Sequence, residues 1–164
     1  MSESKIRILF FCLGNICRSP LAEGLFRQHV AERGLTDRFH IESAGTGAYH
    51  VGNKPDPGSI RVAKARRDLD ISDQRAQQLL DHHFVEFDYL VAMDHSNRRN
   101  AMRLAYADPE KILLLRDYEP DPALRGTEVP DPYGGGGSQF DLVFDIVDRC
   151  TVRLLDELES SLNM

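Results

Sequence analysis

At 164 residues, with 41% hydrophobic and 28% charged content, the chain is long enough for one domain with a sizeable core, and disordered and collagen-like classes drop out. A formal net charge of −6 argues against a nucleic-acid partner, whose phosphates call for a basic face. Three cysteines, two of them five apart in one short segment, are poor material for a secreted disulfide framework and point to a reducing, cytoplasmic setting.

The start Met1-Ser2-Glu3-Ser4-Lys5 runs straight into a short apolar segment, so neither a signal peptide nor a membrane association is expected. Ile6 to Phe11 reads as a buried strand, and Cys12-Leu13-Gly14-Asn15-Ile16-Cys17-Arg18 follows it directly. Ser19-Pro20 then opens a helix whose face carries Leu21, Ala22, Leu25, Phe26 and Val30, ending near Gly34. Phe39 to Ser43 reads as the second strand. Asp56 as cap and Pro57 in the first turn predict a helix over 59–69, and Arg66-Arg67 reads as a solvated face of it.

Tyr89 to Met93 and Ile112 to Leu115 are the third and fourth strands, with a helix over 95–106 between them that carries the solvated pair Arg98-Arg99. Gly134 to Gly137 reads as a flexible loop rather than a domain boundary. The last helix aligns Phe140, Val143, Phe144, Val147, Cys150, Leu154, Leu155 and Leu158 on one stripe. The alternation predicts an α/β fold over 1–164: one domain of three layers, a central parallel four-stranded sheet flanked by helices. Its ligand crevice lies at the carboxyl ends of the strands.

Cys12 falls at such an end, and a cysteine and an arginine flanking a five-residue loop can set a sulfur beneath, and a guanidinium beside, one tetrahedral oxyanion. A free thiol, with a pKa near ~8.5, is mostly protonated at neutral pH, so a nucleophilic cysteine needs its anion stabilised. Inward N–H groups, the following helix N-terminus, Arg18 and the Ser19 hydroxyl supply that stabilisation. Gly14 permits close backbone approach, Asn15 tolerates a left-handed turn, and Leu13 and Ile16 are expected to anchor the loop from below. The planar fork of Arg18 suits bidentate phosphate binding, so the chemistry implied is phosphoryl transfer to Cys12 and hydrolysis of the thiophosphate, with no cofactor and no metal. The acid is less determined. Asp-Pro occurs at Asp56, Asp108, Asp121 and Asp131, and capping accounts for each; Asp131 has an edge because Pro132 stiffens its exit and glycines follow.

The run Cys12 to Pro20 followed by Ala22-Glu23 resembles the signature of the low-molecular-weight protein tyrosine phosphatases, and bacterial members in particular, since Gly134 stands where many eukaryotic members carry a second tyrosine. Further matches are Ser43-Ala44-Gly45-Thr46, Ala92-Met93-Asp94 with Ser96-Asn97, and Asp131-Pro132-Tyr133. The resemblance implies the phosphotyrosine protein phosphatase I-like fold and hydrolysis of phosphotyrosine in proteins, which a cognate tyrosine kinase would supply, by a monomer. It makes Cys12 the nucleophile, Arg18 the phosphate clamp and Asp131 the general acid. Asn15, Ser19 and Ser43 match positions that shape the loop, and Tyr49 and Tyr133 match aromatic positions lining the cleft. Gln74 stands where the family pattern has a histidine, which puts its hydrogen bonding toward Asp94 in doubt. Cys17 matches a thiol that can form a disulfide with oxidised Cys12.

Three alternatives compete. An arsenate reductase of this superfamily needs relay thiols, and none lies between Arg75 and Asp94, while Cys150 reads as core. A protein-arginine phosphatase carries threonine where Ile16 stands. A non-catalytic phosphotyrosine-binding module is disfavoured by the presence of both nucleophile and acid. Zinc binding is weaker still, because Cys12 and Cys17 lack a second pair and His82-His83 read as diverging surface residues.

Overall fold

A computed structural model describes residues 5–162; Met1 to Ser4, which belong to the reading of the chain's start, lie outside them. Four strands, β1 (Ile6–Cys12), β2 (Phe39–Gly45), β3 (Tyr89–Ala92) and β4 (Ile112–Leu114), form one parallel sheet in the order β2-β1-β3-β4. Every strand pairs in parallel, with Ile8 beside Ile41 and Tyr89, and Cys12 beside Gly45 at the carboxyl end. Chain direction along the sheet reverses at β1, so the loop that leaves β1 emerges where crossovers diverge to either side.

Both faces of the sheet are covered, as the near-continuous apolar strands require. Ile8, Phe10 and Cys12 face one core, shared with α1 (Arg18–Glu32), α2 (Pro57–Arg67) and α5 (Gly137–Leu162). Leu9 and Phe11 face the other, shared with Phe84 of α3 (Asp81–Glu86) and Ala101 of α4 (His95–Ala101). The whole predicted stripe of α5, from Phe140 to Leu158, is buried. Cys150 has no exposed surface, and burial pushes its thiol up to about 12, as befits an inert core residue.

Several boundaries differ from expectation for local reasons. β2 runs on to Gly45 because Ala44 and Gly45 pair with Phe11 and Cys12. The second helix occupies Pro57–Arg67, started by the Asp56 carboxylate accepting from Gly58 N at 2.8 Å and stopped at Asp68, which is left-handed at φ 50°. α4 stops at Ala101, and the predicted remainder is a set of turns. Gly134 to Gly136 form the expected loop, but Gly137 already belongs to α5.

Two readings of surface residues are corrected. His83 is buried, not solvated: its Nδ1 accepts from Leu80 N at 2.9 Å, and its ring lies 4.1 Å from that of His82 instead of diverging. Arg66 is exposed as expected, though it also pairs with Asp145 and lies over Phe144, whereas Arg67 is half-buried rather than solvated and pairs with Asp148, so that both tie α2 to α5. Arg98 and Arg99 are exposed, as expected.

Candidate active site

The loop between β1 and α1 is held by its carbonyls. Those of Cys12 and Leu13 accept from Thr46 N and Gly47 N, each at 2.9 Å; that of Ile16 accepts from Asp56 N at 2.7 Å; that of Cys17 accepts from Ser59 Oγ at 2.9 Å. The backbone N–H groups of Leu13 to Cys17, by contrast, donate to no protein acceptor among the described residues. A run of donors left over while the acceptors are tied down is the arrangement an anion-binding loop requires. The β2 exit must approach very closely to do this: a Cβ on Gly45 would lie 2.7 Å from Leu13 O, so only glycine fits.

Behind the loop lies a buried polar chain. Asn15, left-handed at φ 57°, donates through Nδ2 to Ser19 Oγ at 2.8 Å and to Ser43 Oγ at 3.0 Å, and its Oδ1 accepts from Gln77 N at 3.0 Å. Because the Ser19 oxygen already accepts from Asn15, its own proton is free for Cys12 Sγ at 3.0 Å, a shorter contact than the 3.5 Å to Ala44 O. Ser43 donates onward to Glu23 Oε1 at 2.7 Å. Burial raises the Glu23 pKa, opposed by that bond and by Arg27, whose Nε donates to Glu23 Oε2 at 3.2 Å. Sequence reasoning singled out Ser19 and Ser43 but gave Glu23 no role, since a glutamate in the first turns of a helix reads as a surface residue.

Arg18 is buried, and its fork is divided. Nη1 donates to Asp94 Oδ2 at 2.7 Å and to Val129 O at 2.9 Å; among the described residues Nε has no partner, and Nη2 has only Asp131 Oδ2 at 3.9 Å. The Nε–Nη2 edge is therefore open for two parallel bonds to an oxyanion, while Nη1 fixes the plane. Burial opposes the guanidinium charge, but Cys12, Asp94 and Asp131 outweigh it and raise the pKa further. Asp94 serves twice, because its Oδ1 also caps α4 by accepting from Asn97 N at 2.7 Å. Sequence reasoning named Asp94 only as part of a family match and assigned it neither the cap nor the clamp on Arg18.

A cavity of about 110 Å³ opens over these groups, lined by Cys12, Leu13, Gly14, Ile16, Cys17, Arg18, Tyr49, His50, Asp131 and Tyr133. It gathers the predicted substrate-binding residues except Asn15, whose side chain turns to the buried polar chain behind the loop, together with His50, which sequence reasoning missed and whose ring lies 6.0 Å from that of Tyr133. Tyr49 and Tyr133 stand at the mouth, 77% and 61% exposed. Ile16 is buried beneath the loop as expected, but Leu13 is not: it is 42% exposed on the rim, because the loop turns outward after Cys12. Gln74 donates to Pro20 O at 2.9 Å, while Asp94 holds Arg18. Cys17 is buried, and burial with the Asp56 charge drives its thiol pKa far up.

A sequence model of the family described as low molecular weight phosphotyrosine protein phosphatase matches residues 7–163. The chain is 37% identical over 176 residues to the phosphatase of that name from Dictyostelium discoideum, covering 97% of both chains. It is 44% identical over 146 residues to that from Schizosaccharomyces pombe, covering 87% of this chain and 91% of the other. Among solved structures, the protein tyrosine phosphatase from Entamoeba histolytica with Hepes in the active site superposes with a TM-score of 0.87 at 34% identity, over 96% of this chain and 99% of that one. YfkJ from Bacillus subtilis superposes with a TM-score of 0.88 at 34% identity, over 98% and 99%.

Proposed function

The chain belongs to the low molecular weight phosphotyrosine protein phosphatase family, and we propose that Cys12, Arg18 and Asp131 carry out its hydrolysis of phosphotyrosine in proteins. The observation that carries this assignment is the cavity whose base is the Cys12 sulfur, whose side is the open Nε–Nη2 edge of Arg18 and whose rim is the Asp131 carboxylate.

In the first step the Cys12 thiolate attacks phosphorus and the P–O bond to tyrosine breaks. Asp131 gives its proton to the leaving phenolate oxygen, and Tyr49 and Tyr133 flank the ring. The phosphoryl oxygens lie against the loop N–H groups and the Arg18 edge, which stabilise the charge spread in the transition state. In the second step Asp131, now a carboxylate, takes a proton from water, whose oxygen attacks phosphorus. The S–P bond breaks, inorganic phosphate leaves and the Cys12 thiolate is restored. The loop and Arg18 neutralise the phosphoryl charge themselves, so this route calls on no metal.

Asp131→Asn is expected to lower kcat on phosphotyrosine peptides about a hundredfold or more, with a much smaller effect on substrates whose leaving group needs no proton. Cys12→Ser is expected to abolish turnover while retaining phosphate binding. Unchanged phosphotyrosine turnover by Asp131→Asn, measured in steady state, removes Asp131 from the acid role.

The reading includes a cytoplasmic monomer that opposes a cognate tyrosine kinase; three free, buried cysteines support the reducing setting. It also includes redox protection. Peroxide oxidises the Cys12 thiolate to a sulfenic acid, and the Cys17 thiol in the same cavity displaces water from it to give a disulfide. Peroxide-treated Cys17→Ala is then expected to accumulate Cys12 sulfonate that dithiothreitol does not reverse, whereas the wild type recovers. Equal recovery by both proteins overturns the protection.

A further inference from the structure

Next to the catalytic cavity lies a second, shallower depression of about 320 Å³, lined by Leu13, Thr46, Tyr49, Asn100, Arg103 and Leu104. Leu13 and Tyr49 line both, so these two side chains form a wall shared between the second depression and the phosphate cradle. This explains what Leu13 does on the rim: it is a shared wall, not an anchor.

The depression holds polar groups with nothing to bond. Thr46 Oγ1 is buried without a partner. Arg103 is exposed and has no carboxylate within ion-pair distance among the described residues, so its charge at the edge of the depression is not neutralised by the protein. Arg98 and Arg99, one turn earlier on α4, are also without acidic partners among the described residues. Asp81 accepts from Ala105 N at 2.8 Å rather than from Arg103, so in a chain of net charge −6 the Arg103 guanidinium stands at this depression as a cation without an acidic partner among the described residues.

We propose that the depression is a substrate subsite that takes an acidic side chain lying within about three residues of the phosphotyrosine. The proposal rests on the phosphatase reading and adds to it the class of sequence preferred. Arg103 binds the carboxylate, the Asn100 amide supplies a further hydrogen bond, and Leu13 and Leu104 cover the aliphatic stem. One residue of extended peptide spans roughly 3.3 Å, so a side chain one to three residues away reaches across the Leu13–Tyr49 wall while the phosphate stays over Cys12. Such a contact changes KM more than kcat, because it is made equally in the ground and transition states.

The test compares phosphotyrosine peptides that differ only in Glu, Gln or Lys at each flanking position, with para-nitrophenyl phosphate as the small substrate. Wild type is expected to favour the Glu over the Lys peptide about five- to tenfold in kcat/KM at one or more positions, through KM, and less so in 0.5 M salt. Arg103→Ala is expected to remove most of that ratio and Arg103→Glu to invert it, while all three proteins turn over para-nitrophenyl phosphate alike, which also shows that the exposed substitution leaves the fold intact. A wild-type ratio near one at every position, or a ratio unchanged by Arg103→Ala, overturns the subsite and leaves the phosphatase reading standing. Absence of turnover on both substrate types overturns the phosphatase reading and the subsite with it.

Discussion

Arg18 divides its guanidinium between holding and binding, and Asp94 makes that division possible. Without the Asp94 Oδ2 bond at 2.7 Å, the buried fork keeps only Val129 O to set its plane, and its open edge loses its aim over Cys12. Asp94→Asn tests this cleanly, since the amide oxygen still caps α4 while the NH₂ group can no longer accept from Arg18. The expected result is a fall of about ten- to a hundredfold in kcat/KM with little change in thermal midpoint; unaltered kinetics show that Arg18 aligns without it. Residues of this site were legible in the sequence where they are contiguous. Cys12 to Arg18 shows its purpose because one loop carries it, and Asn15 was readable as the left-handed position. Asp131 had only an edge from its own neighbours and needed the family resemblance to stand out, because locally it does what the other three Asp-Pro aspartates do: its Oδ1 accepts from Tyr133 N as Asp56, Asp108 and Asp121 accept from Gly58, Glu110 and Ala123. Only the fold distinguishes it, by setting its other oxygen across from Arg18. His50 gave no signal at all, since its role depends on how the loop after β2 folds back over Gly14.

At the scale of elements, the site depends on α1, whose first residues finish the phosphate loop. From Arg18 to Phe26 every residue of α1 is buried, more than the one-face pattern of the sequence predicts, because the helix lies between the sheet and α5 and is crossed by α2. Phe26 packs against the sheet, with its ring 5.4 Å from Phe10 and 5.5 Å from Phe39. Phe26→Ala empties that position without touching the site, and is expected to cost about 3–5 kcal/mol in urea unfolding. A loss under about 1 kcal/mol there shows that α1 is held mainly from its α5 side. Strands and long helices were legible from apolar runs and periodicity. The stretch after α4 was not: apart from β4 it contains short 3₁₀ turns, two of them started by aspartates that accept from the N–H two residues on and one starting from Leu114 with no side-chain cap, so no periodicity marks their ends.

The molecule as a whole ties the segment that leads to Asp131 to α5 through one buried carboxylate. Glu119 has no exposed surface, and its two oxygens accept from Arg149 of α5 at 2.6 Å and from Arg116 at 2.7 Å. Its carbonyl accepts from Arg125, and Arg116 also donates to Glu128 O, three residues before Asp131. Burial alone would raise the Glu119 pKa, but the hydrogen bonds and charges of Arg149 and Arg116 overcome it and hold the pKa below the ordinary 4.5. A carboxylate with a depressed folded value binds its proton more weakly than in the unfolded chain. Its contribution to stability is thus fully present above the ordinary value and is lost as the pH falls through the folded one. The thermal midpoint is expected to drop on acidification below about pH 4.5, and Glu119→Gln is expected to flatten that part of the profile. At pH 7 the same substitution leaves Arg116 and Arg149 without their counter-charge and is expected to cost about 3 kcal/mol. An acid limb as steep in Glu119→Gln as in the wild type assigns the loss to other carboxylates, such as Asp148. Burial raises the Asp148 pKa, but the His29 hydrogen bond and Arg67 outweigh it and lower the value. Because Glu119 anchors the segment that carries Asp131, Glu119→Gln is also expected to reduce kcat before the protein unfolds, an effect that a purely structural carboxylate remote from that segment would not produce.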